Sequence, residues 1–370
     1  MNSSHNGGSA RIRIRQAQTF GLEDGTAAPI LAGIPFHSSW VNKILPLLLL
    51  VATAITLWGA TQHRSYLNDD TYITLTYARS LAAGEGWRYN GGTEALGTTT
   101  PLFALVVAAL SWLFPSIPLE WFAVGFSTLC WLGTGWFFFL GHRDFGLNLR
   151  AGAILALVVL LQGGWLFGSL GMEAAFLLFG LTLAVWVAGR GYSLLAGLVG
   201  ALLFLVRPEG LAMVPLVGAW ILWHRRDALP RFATGALLPL CLWVSYAWMH
   251  FSSILPNSAL AKVGQGAFWP GKPFVERLFG EWLPAHAANY GFSPTLSLIW
   301  PLSLLGLLYV GRQRKALLLF VGWGAVFLAG YYLLGAPGYW WYMMPVLFLL
   351  QLFSGLGIIA LVEQPQRGVK

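Results

Sequence analysis

The chain has 370 residues, of which 57% are hydrophobic and 10% are charged, and its mean hydropathy is +0.65. Soluble domains carry about 25% charged residues, so this composition excludes an ordinary water-soluble enzyme. The net charge of +8 comes from basic residues in short runs between apolar segments. That pattern is typical of the cytoplasmic loops of a multi-pass membrane protein and argues against nucleic-acid binding.

Residues 1–40 are rich in Ser, Gly and Arg and contain too little apolar surface for a core. They predict a disordered cytoplasmic tail. No small-residue cleavage pattern follows the apolar segment that starts near Val41, so we interpret this segment as a retained helix. The two cysteines, Cys130 and Cys241, each lie inside an apolar segment, which excludes a disulfide framework.

The apolar segments predict about ten membrane-spanning helices, although several are shorter than the roughly 20 residues that a span needs. The segments are Val41–Ala60, Glu120–Leu140, Ala151–Ser169, Ala174–Gly189, Leu194–Val206, Leu211–Trp223, Phe232–His250, Phe292–Val310, Ala316–Leu334 and Met344–Leu361. The predicted fold class is therefore all-α, a polytopic transmembrane helical bundle over 41–363, with long outer loops at 61–119 and 251–291 and a cytoplasmic tail at 364–370. The sequence Arg207-Pro208-Glu209-Gly210 predicts a break between two short helices.

The segment Pro101–Phe114 is apolar but short, and the distribution of basic residues decides how it is interpreted. If it does not span, 15 of the 22 Lys and Arg residues face the cytoplasm, as the positive-inside rule requires. We therefore expect a juxtamembrane helix here, and both termini inside. The predicted inner residues are Arg11, Arg13, Arg15, Lys43, Arg143, Arg150, Arg190, Arg225, Arg226, Arg231, Arg312, Arg314, Lys315, Arg367 and Lys370.

The first outer loop opens with the adjacent carboxylates Asp69 and Asp70. Such a pair can supply a general base or ligate a divalent cation, but acids also stabilise a helix N-terminus without any catalytic role. Further along, Trp87 and Glu94 lie in a glycine-rich stretch that either presents an aromatic ring to a substrate or simply connects two helices.

Three further charged residues, two at the ends of apolar segments and one in the second outer loop, are candidates for the site. Glu173 is either a functional acid at membrane depth or a helix-start residue. Arg207 either pairs with Glu209 to hold the helix break or faces an anionic head group, and Lys262 is either a solvated charge or a phosphate contact.

Near the C-terminus, Tyr339-Trp340-Trp341-Tyr342 is typical of an interfacial aromatic belt. A sugar-stacking platform that includes Trp340 and Tyr342 is the alternative interpretation.

Six short motifs in a fixed order resemble the GT-C superfamily of polytopic glycosyltransferases. The resemblance is nearest to the bacterial branch that includes arabinofuranosyltransferases, and more distant to aminoarabinose and protein O-mannosyl transferases. The motifs are Asp-Asp-x-Tyr-Ile-x-x-x-Tyr-Ala-Arg, Gly-x-Gly-Trp-x-Tyr-Asn, Thr-x-Pro-Leu, Gly-Met-Glu-Ala-Ala, Arg-Pro-Glu-Gly and Leu-Pro-Asn-Ser-x-x-Ala-Lys, which together run from Asp69 to Lys262.

The resemblance implies transfer of a sugar from a polyprenyl-phosphate donor on the outer side of the cytoplasmic membrane, with an essential acid in the first outer loop. Asp69 or Asp70 matches that acid, and we favour Asp70. Glu173 matches a second acid, and Lys262 lies in a region near the donor phosphate. Many relatives carry a further soluble C-terminal domain, and we expect its function here to be absent or supplied by another protein.

The prediction is therefore a membrane glycosyltransferase whose active site lies on the outer face of the cytoplasmic membrane. The acceptor is a glycan, lipid or protein of the cell envelope. Asp70 would be the base, with Asp69 and Glu173 as further catalytic candidates. Lys262 and Arg207 would bind the donor phosphate, while Trp87, Glu94, Trp340 and Tyr342 would bind sugar or acceptor. Asp69 and Glu173 are also candidates for holding Mg²⁺ or Mn²⁺. The alternatives are a transporter or flippase of a lipid-linked sugar, and a catalytically silent assembly partner.

Overall fold

The computed structural model describes residues 39–363 except 162–165, 167, 269–270, 285–292 and 314. Within this part of the chain the structure is helical, and its β contacts are two isolated bridges. The predicted tails at 1–40 and 364–370 lie outside the described residues, apart from Ser39 and Trp40, which begin the first helix. The helical class of the fold is thus confirmed for the described residues.

The described residues form fourteen α-helices, which are numbered in chain order. They are α1 (Ser39–His63), α2 (Asp69–Ala82), α3 (Pro101–Leu113), α4 (Leu119–Leu140), α5 (Leu149–Leu161), α6 (Ala174–Arg190), α7 (Ser193–Val206), α8 (Met213–His224), α9 (Leu229–Phe251), α10 (Asn257–Phe268), α11 (Phe274–Arg277), α12 (Ser293–Gln313), α13 (Leu318–Leu333) and α14 (Met343–Val362).

Five apolar segments of the described chain are long enough to cross a membrane: Lys43–His63, Leu119–Leu140, Arg226–Phe251, Lys315–Leu333 and Trp340–Val362. Shorter apolar helices accompany them, including α5, α6 and α7. The predicted span Ala151–Ser169 is only partly described, because its helix is followed to Leu161 and residues 162–165 and 167 are not. The predicted span that opens at Phe292 likewise begins outside the described residues.

Helices α6 and α14 contribute more side chains than the other helices to one continuous cluster of buried residues, to which α4, α5 and α13 also belong. Helix α14 is buried along nearly its whole length, from Met343 to Ile359. By contrast, α1 and α9 expose many large apolar residues on their outer faces, such as Leu57 and Leu242. A water-soluble bundle would bury such faces, so their exposure is consistent with helices that contact lipid.

Glycines set the closest helix approach, between α12 and α14. A Cβ atom built on Gly306 would overlap the backbone of Phe353, and one on Gly357 would overlap the carbonyl oxygen of Leu302. Helices in membranes pack through such small residues because van der Waals contact, rather than water exclusion, holds them together. Each glycine therefore permits a backbone contact that alanine would not.

Two helices of the first predicted outer loop position the candidate site. Helix α2 carries Asp69 and Asp70 in its first turn, where acids interact favourably with the helix dipole. Helix α3 begins at Pro101, a residue suited to the first turn, and packs against α2 and α4. Beyond the bundle core, α7 ends at Val206 and a 3₁₀ turn at Pro208–Ala212 leads into α8. This is the break that the proline and glycine predicted.

Candidate functional site

One cavity of about 650 Å³ gathers charged side chains from separate parts of the chain. Its walls come from α2, the segment 97–100, the start of α6, the α7–α8 break, α10, α13 and the segment before α14. The charged residues that line it are Asp70, Glu173, Arg207, Glu209 and Lys262. The polar end is therefore assembled from regions up to 192 positions apart in the sequence.

At one side of the cavity, α2 and α10 meet through an ion pair. Lys262 Nζ donates to Asp70 Oδ2 at 3.2 Å, and both side chains are about one quarter exposed. The lysine also lies 5.6 Å from the ring of Tyr339 and 5.8 Å from that of Tyr342. Such cation–π contacts hold an ammonium group in place without consuming its N–H donors.

The pKa of Lys262 lies above its ordinary value. Burial by itself opposes the charged form, but the electrostatic influence of Tyr342 and then of Asp70 outweighs it. The ammonium group therefore remains protonated at neutral pH. With three N–H donors and one carboxylate partner, it can bind a further anion.

Deeper in the cavity, Arg207 joins two carboxylates. Its Nη1 donates to Glu173 Oε1 at 2.7 Å, and its Nε donates to Glu209 Oε1 at 2.5 Å. Its Nη2 also donates to the hydroxyl of Tyr331 at 3.2 Å, and that hydroxyl lies 3.2 Å from Glu209 Oε1. All three ionic side chains are about one tenth exposed or less.

This network changes the interpretation of Arg207. A guanidinium group has five N–H donors on three nitrogens, and all three nitrogens already hold partners, two of which are carboxylates. Removing one partner from a buried pair leaves an uncompensated charge, which costs about 3–5 kcal/mol. The contacts therefore support Arg207 as the residue that fixes the α6–α7–α8 junction, and Lys262 as the better candidate for a phosphate contact.

The candidate metal pair is not assembled as expected. Asp69 is exposed, does not line the cavity, and accepts the backbone N–H of Asp70 through Oδ1 at 3.0 Å. Glu173 is committed to Arg207. Within the described residues, no group of three or more His, Cys, Asp or Glu side chains is arranged to hold a metal ion.

Two predicted sugar-binding residues lie away from the cavity. Trp87 is only 3% exposed and packs against Tyr77 and Trp243, with ring centroids 6.2 and 6.1 Å apart respectively. Glu94 is an exposed residue that bridges to Arg88 through the backbone. Neither residue lines the cavity in the structure, because contacts with Tyr77 and Trp243 bury Trp87 and because Glu94 is exposed outside it.

Only one of the two predicted aromatic residues near the C-terminus reaches the cavity. Tyr342 lines it, whereas Trp340 is 40% exposed and its ring lies against Gly168. The 3₁₀ turn at Trp340–Tyr342 directs neighbouring rings to different sides. Trp340 therefore lies outside the cavity, whereas Tyr342 is part of its lining.

Hydroxyl groups at the cavity were not predicted from the sequence. Thr74, Thr98, Thr100, Ser258 and Tyr331 all line it. Their sequence signals are weak, because single Ser and Thr residues occur throughout apolar helices and loops. The run Thr98-Thr99-Thr100 directly before Pro101 was the one visible clue.

Comparisons of the chain with models of known families, with curated proteins and with solved structures find no match. The fold and the cavity define a helical membrane protein with a charged, partly enclosed pocket. The pocket's own residues are therefore the basis for assigning a function.

Proposed function

We propose that this protein is a membrane glycosyltransferase that moves a sugar from a polyprenyl-phosphate donor to a cell-envelope acceptor outside the cytoplasmic membrane. The observation that carries the proposal is one cavity in which Asp70 and Lys262 face each other beside an apolar wall. Lys262 provides a cation for a phosphate, and Asp70 provides a carboxylate that can accept a proton. Both are needed in one place for displacement of a lipid phosphate by a hydroxyl group.

The apolar wall of the cavity supports a lipid-linked donor. It includes Leu211, Pro215, Val326 and Leu334, all of which are exposed at the surface. These residues come from α8 and its preceding turn and from α13 and the residue that follows it. A polyprenyl chain can lie along such a surface while its head group enters the charged end of the cavity. A water-soluble nucleotide sugar has no use for this apolar wall.

The proposed reaction is a single inverting displacement. The acceptor oxygen attacks the anomeric carbon while its proton passes to Asp70, and the bond between that carbon and the phosphate oxygen breaks. Lys262 contacts Oδ2 of Asp70, so Oδ1 is the oxygen that would accept the proton. Lys262 would then stabilise the charge that develops on the departing polyprenyl phosphate. No step requires a metal ion, although a divalent cation stays an alternative source of positive charge.

The membrane arrangement proposed with this function has ten spans, both termini in the cytoplasm and α2, α3 and α10 at the outer surface. The predicted charge distribution supports this arrangement, since 15 of the 22 basic residues then face the cytoplasm.

A transfer assay tests the proposal. Purified protein in nanodiscs is incubated with a panel of polyprenyl-phosphate sugars and envelope glycans, and the release of polyprenyl phosphate is measured. We expect release with at least one donor, and none when a nucleotide sugar replaces it. Efficient transfer from the nucleotide sugar alone would overturn the donor assignment. Movement of an intact lipid-linked sugar across the membrane without release would instead indicate a carrier.

Substitution of Lys262 tests the proposed phosphate contact, and Lys272, in the same predicted outer loop, provides a matched control. Lys262→Ala should raise KM for the donor roughly 10- to 100-fold, because a charged hydrogen bond to the phosphate is lost. Lys272→Ala should leave KM unchanged, because Lys272 pairs with Glu281 and does not line the cavity. Equal effects of the two substitutions would contradict the phosphate contact.

A further inference from the structure

Each charged side chain that lines the cavity already contacts one of opposite charge, so its hydroxyl groups are the polar groups that remain to recognise a neutral ligand surface. Asp70 is paired with Lys262, and Arg207 is bound to Glu173 and Glu209. Since Trp87, Glu94 and Trp340 do not line the cavity, the sugar ring must be recognised by other residues.

Three threonine hydroxyls form a chain on one wall of the cavity. Thr98 and Thr100 are 3.0 Å apart between their Oγ1 atoms, and Thr74 and Thr100 are 3.3 Å apart. All three threonines are buried. Three hydroxyl groups supply three protons, and two contacts use two of them. One of the three O–H donors is therefore left unused by these contacts and can bond to a ligand.

Ser258 adds a second hydroxyl group from α10. Its Oγ is buried, lines the cavity and has no hydrogen-bond partner among the described residues. A buried hydroxyl without a partner is unfavourable by about 1–3 kcal/mol, so its presence calls for a partner that the chain itself does not supply. Ser258 lies one helical turn before Lys262, and residues four apart share one face of a helix.

The segment that holds the threonines is tied directly to α10. The backbone N–H of Asn257 donates to the carbonyl oxygen of Leu96 at 2.8 Å. This bond places the start of α10, and with it Ser258, beside the threonine segment. On α2, Thr74 lies one turn after Asp70. Each of the two charged residues thus has a cavity hydroxyl one turn away on its own helix.

We propose that Ser258, with Thr98 and Thr100, forms the subsite that binds the free hydroxyl groups of the sugar. The sugar that the lipid phosphate carries is therefore uncharged and polyhydroxylated. This inference rests on the proposed function, because it places the sugar between Lys262 and the hydroxyl wall. The Ser258 hydroxyl can both donate and accept a hydrogen bond, and it lies next to Lys262, the proposed phosphate contact. Because the phosphate is attached to the anomeric carbon, we expect Ser258 to contact a sugar hydroxyl close to that carbon. Ser258 is a specificity-determining residue in this scheme and takes no part in proton transfer.

Binding measurements with and without the sugar test the subsite. The affinity of wild-type protein and Ser258→Ala for a polyprenyl-phosphate sugar is compared with that for polyprenyl phosphate alone, by thermophoresis in nanodiscs. We expect Ser258→Ala to weaken the sugar-bearing lipid roughly two- to tenfold and to leave polyprenyl phosphate unchanged. The control is Thr76→Ala, because Thr76 lies on α2, bonds to the carbonyl oxygen of Tyr72 and does not line the cavity. Thr76→Ala should change neither affinity.

Monodeoxy sugars identify the hydroxyl group that Ser258 contacts. One deoxy analogue should bind wild-type protein as weakly as the parent sugar binds Ser258→Ala, and the substitution should weaken that analogue no further. If Ser258→Ala loses the same affinity for the sugar-bearing and the sugar-free lipid, or loses affinity for neither, the proposed subsite is wrong. The proposed function would then still be decided by the transfer assay. If wild-type protein binds neither lipid, the subsite and the proposed function fall together.

Discussion

Asp69 and Asp70 are neighbours in the chain but occupy different environments. Asp70 lines the cavity and contacts Lys262, whereas Asp69 is exposed and bonds to the backbone N–H of Asp70. Successive residues of a helix point about 100° apart, so only one of two adjacent side chains can face a given wall. Of the two carboxylates, Asp70 is therefore the one that faces the cavity, as the proposed role of a base requires.

Substitution of each aspartate separates their roles. If Asp70 takes the acceptor proton, Asp70→Asn should lower the rate of transfer about 10²- to 10⁴-fold, because the amide cannot accept the proton. Asp69→Asn should stay within a few-fold of wild type. The measurement is the single-turnover rate, with gel filtration in detergent as the check on folding. An inactive Asp69→Asn beside an active Asp70→Asn would assign the base to Asp69, and activity in both would remove the proposed step.

At this scale, the charged residues could be predicted from the sequence and the neutral ones could not. Carboxylates and cations are rare beside apolar segments, so Glu173, Arg207 and Lys262 are conspicuous there. Aromatic and hydroxyl residues are common in such segments, and packing alone decides which of them face a cavity. Tyr331 lines the cavity while its neighbour Tyr332 is exposed, and nothing in the sequence separates the two.

Among the elements, the α7–α8 break and the α12–α14 contact have different origins. The break follows from local chemistry, since Pro208 ends one helix and a 3₁₀ turn begins the next. The α12–α14 contact depends on two glycines that meet backbone of the facing helix. The first feature could be predicted from the sequence. The second could not, because the partner of each glycine is set by tertiary packing.

A pair of glycine substitutions tests the packing of α14. Gly357→Ala should destabilise the protein by about 1–3 kcal/mol, because its Cβ would overlap the carbonyl oxygen of Leu302 and backbone cannot rotate away. The measurement is the midpoint of thermal unfolding in detergent. Gly125→Ala in α4 is the control, since no atom lies within 4 Å of its Cβ, and alanine there should be neutral or slightly stabilising. Equal midpoints for the two variants would contradict the close α12–α14 contact.

Over the whole molecule, helix content and membrane character follow from composition, whereas sidedness depends on charge. The apolar segments that the sequence shows do become helices in the described chain, and five of them are long enough to span. Several others have fewer than 20 residues. Such helices cross a bilayer only where neighbouring helices or local thinning compensate for their length. The number of spans is therefore argued from loop charge rather than from helix length.

Accessibility of single cysteines tests the proposed orientation. In a background with Cys130→Ala and Cys241→Ser, cysteines replace four exposed residues: Asp227 and Arg312 on the proposed inner side, and Glu85 and Glu276 on the outer side. An impermeant maleimide applied to intact cells should label the outer pair only, because the basic loops remain in the cytoplasm. All four should react after the membrane is permeabilised, which controls for expression and exposure. Labelling of the cysteines at positions 227 and 312 in intact cells would contradict the proposed orientation. The Asp70–Lys262 cavity would then lie on the cytoplasmic side, where a nucleotide sugar, and not a lipid-linked one, would be the available donor.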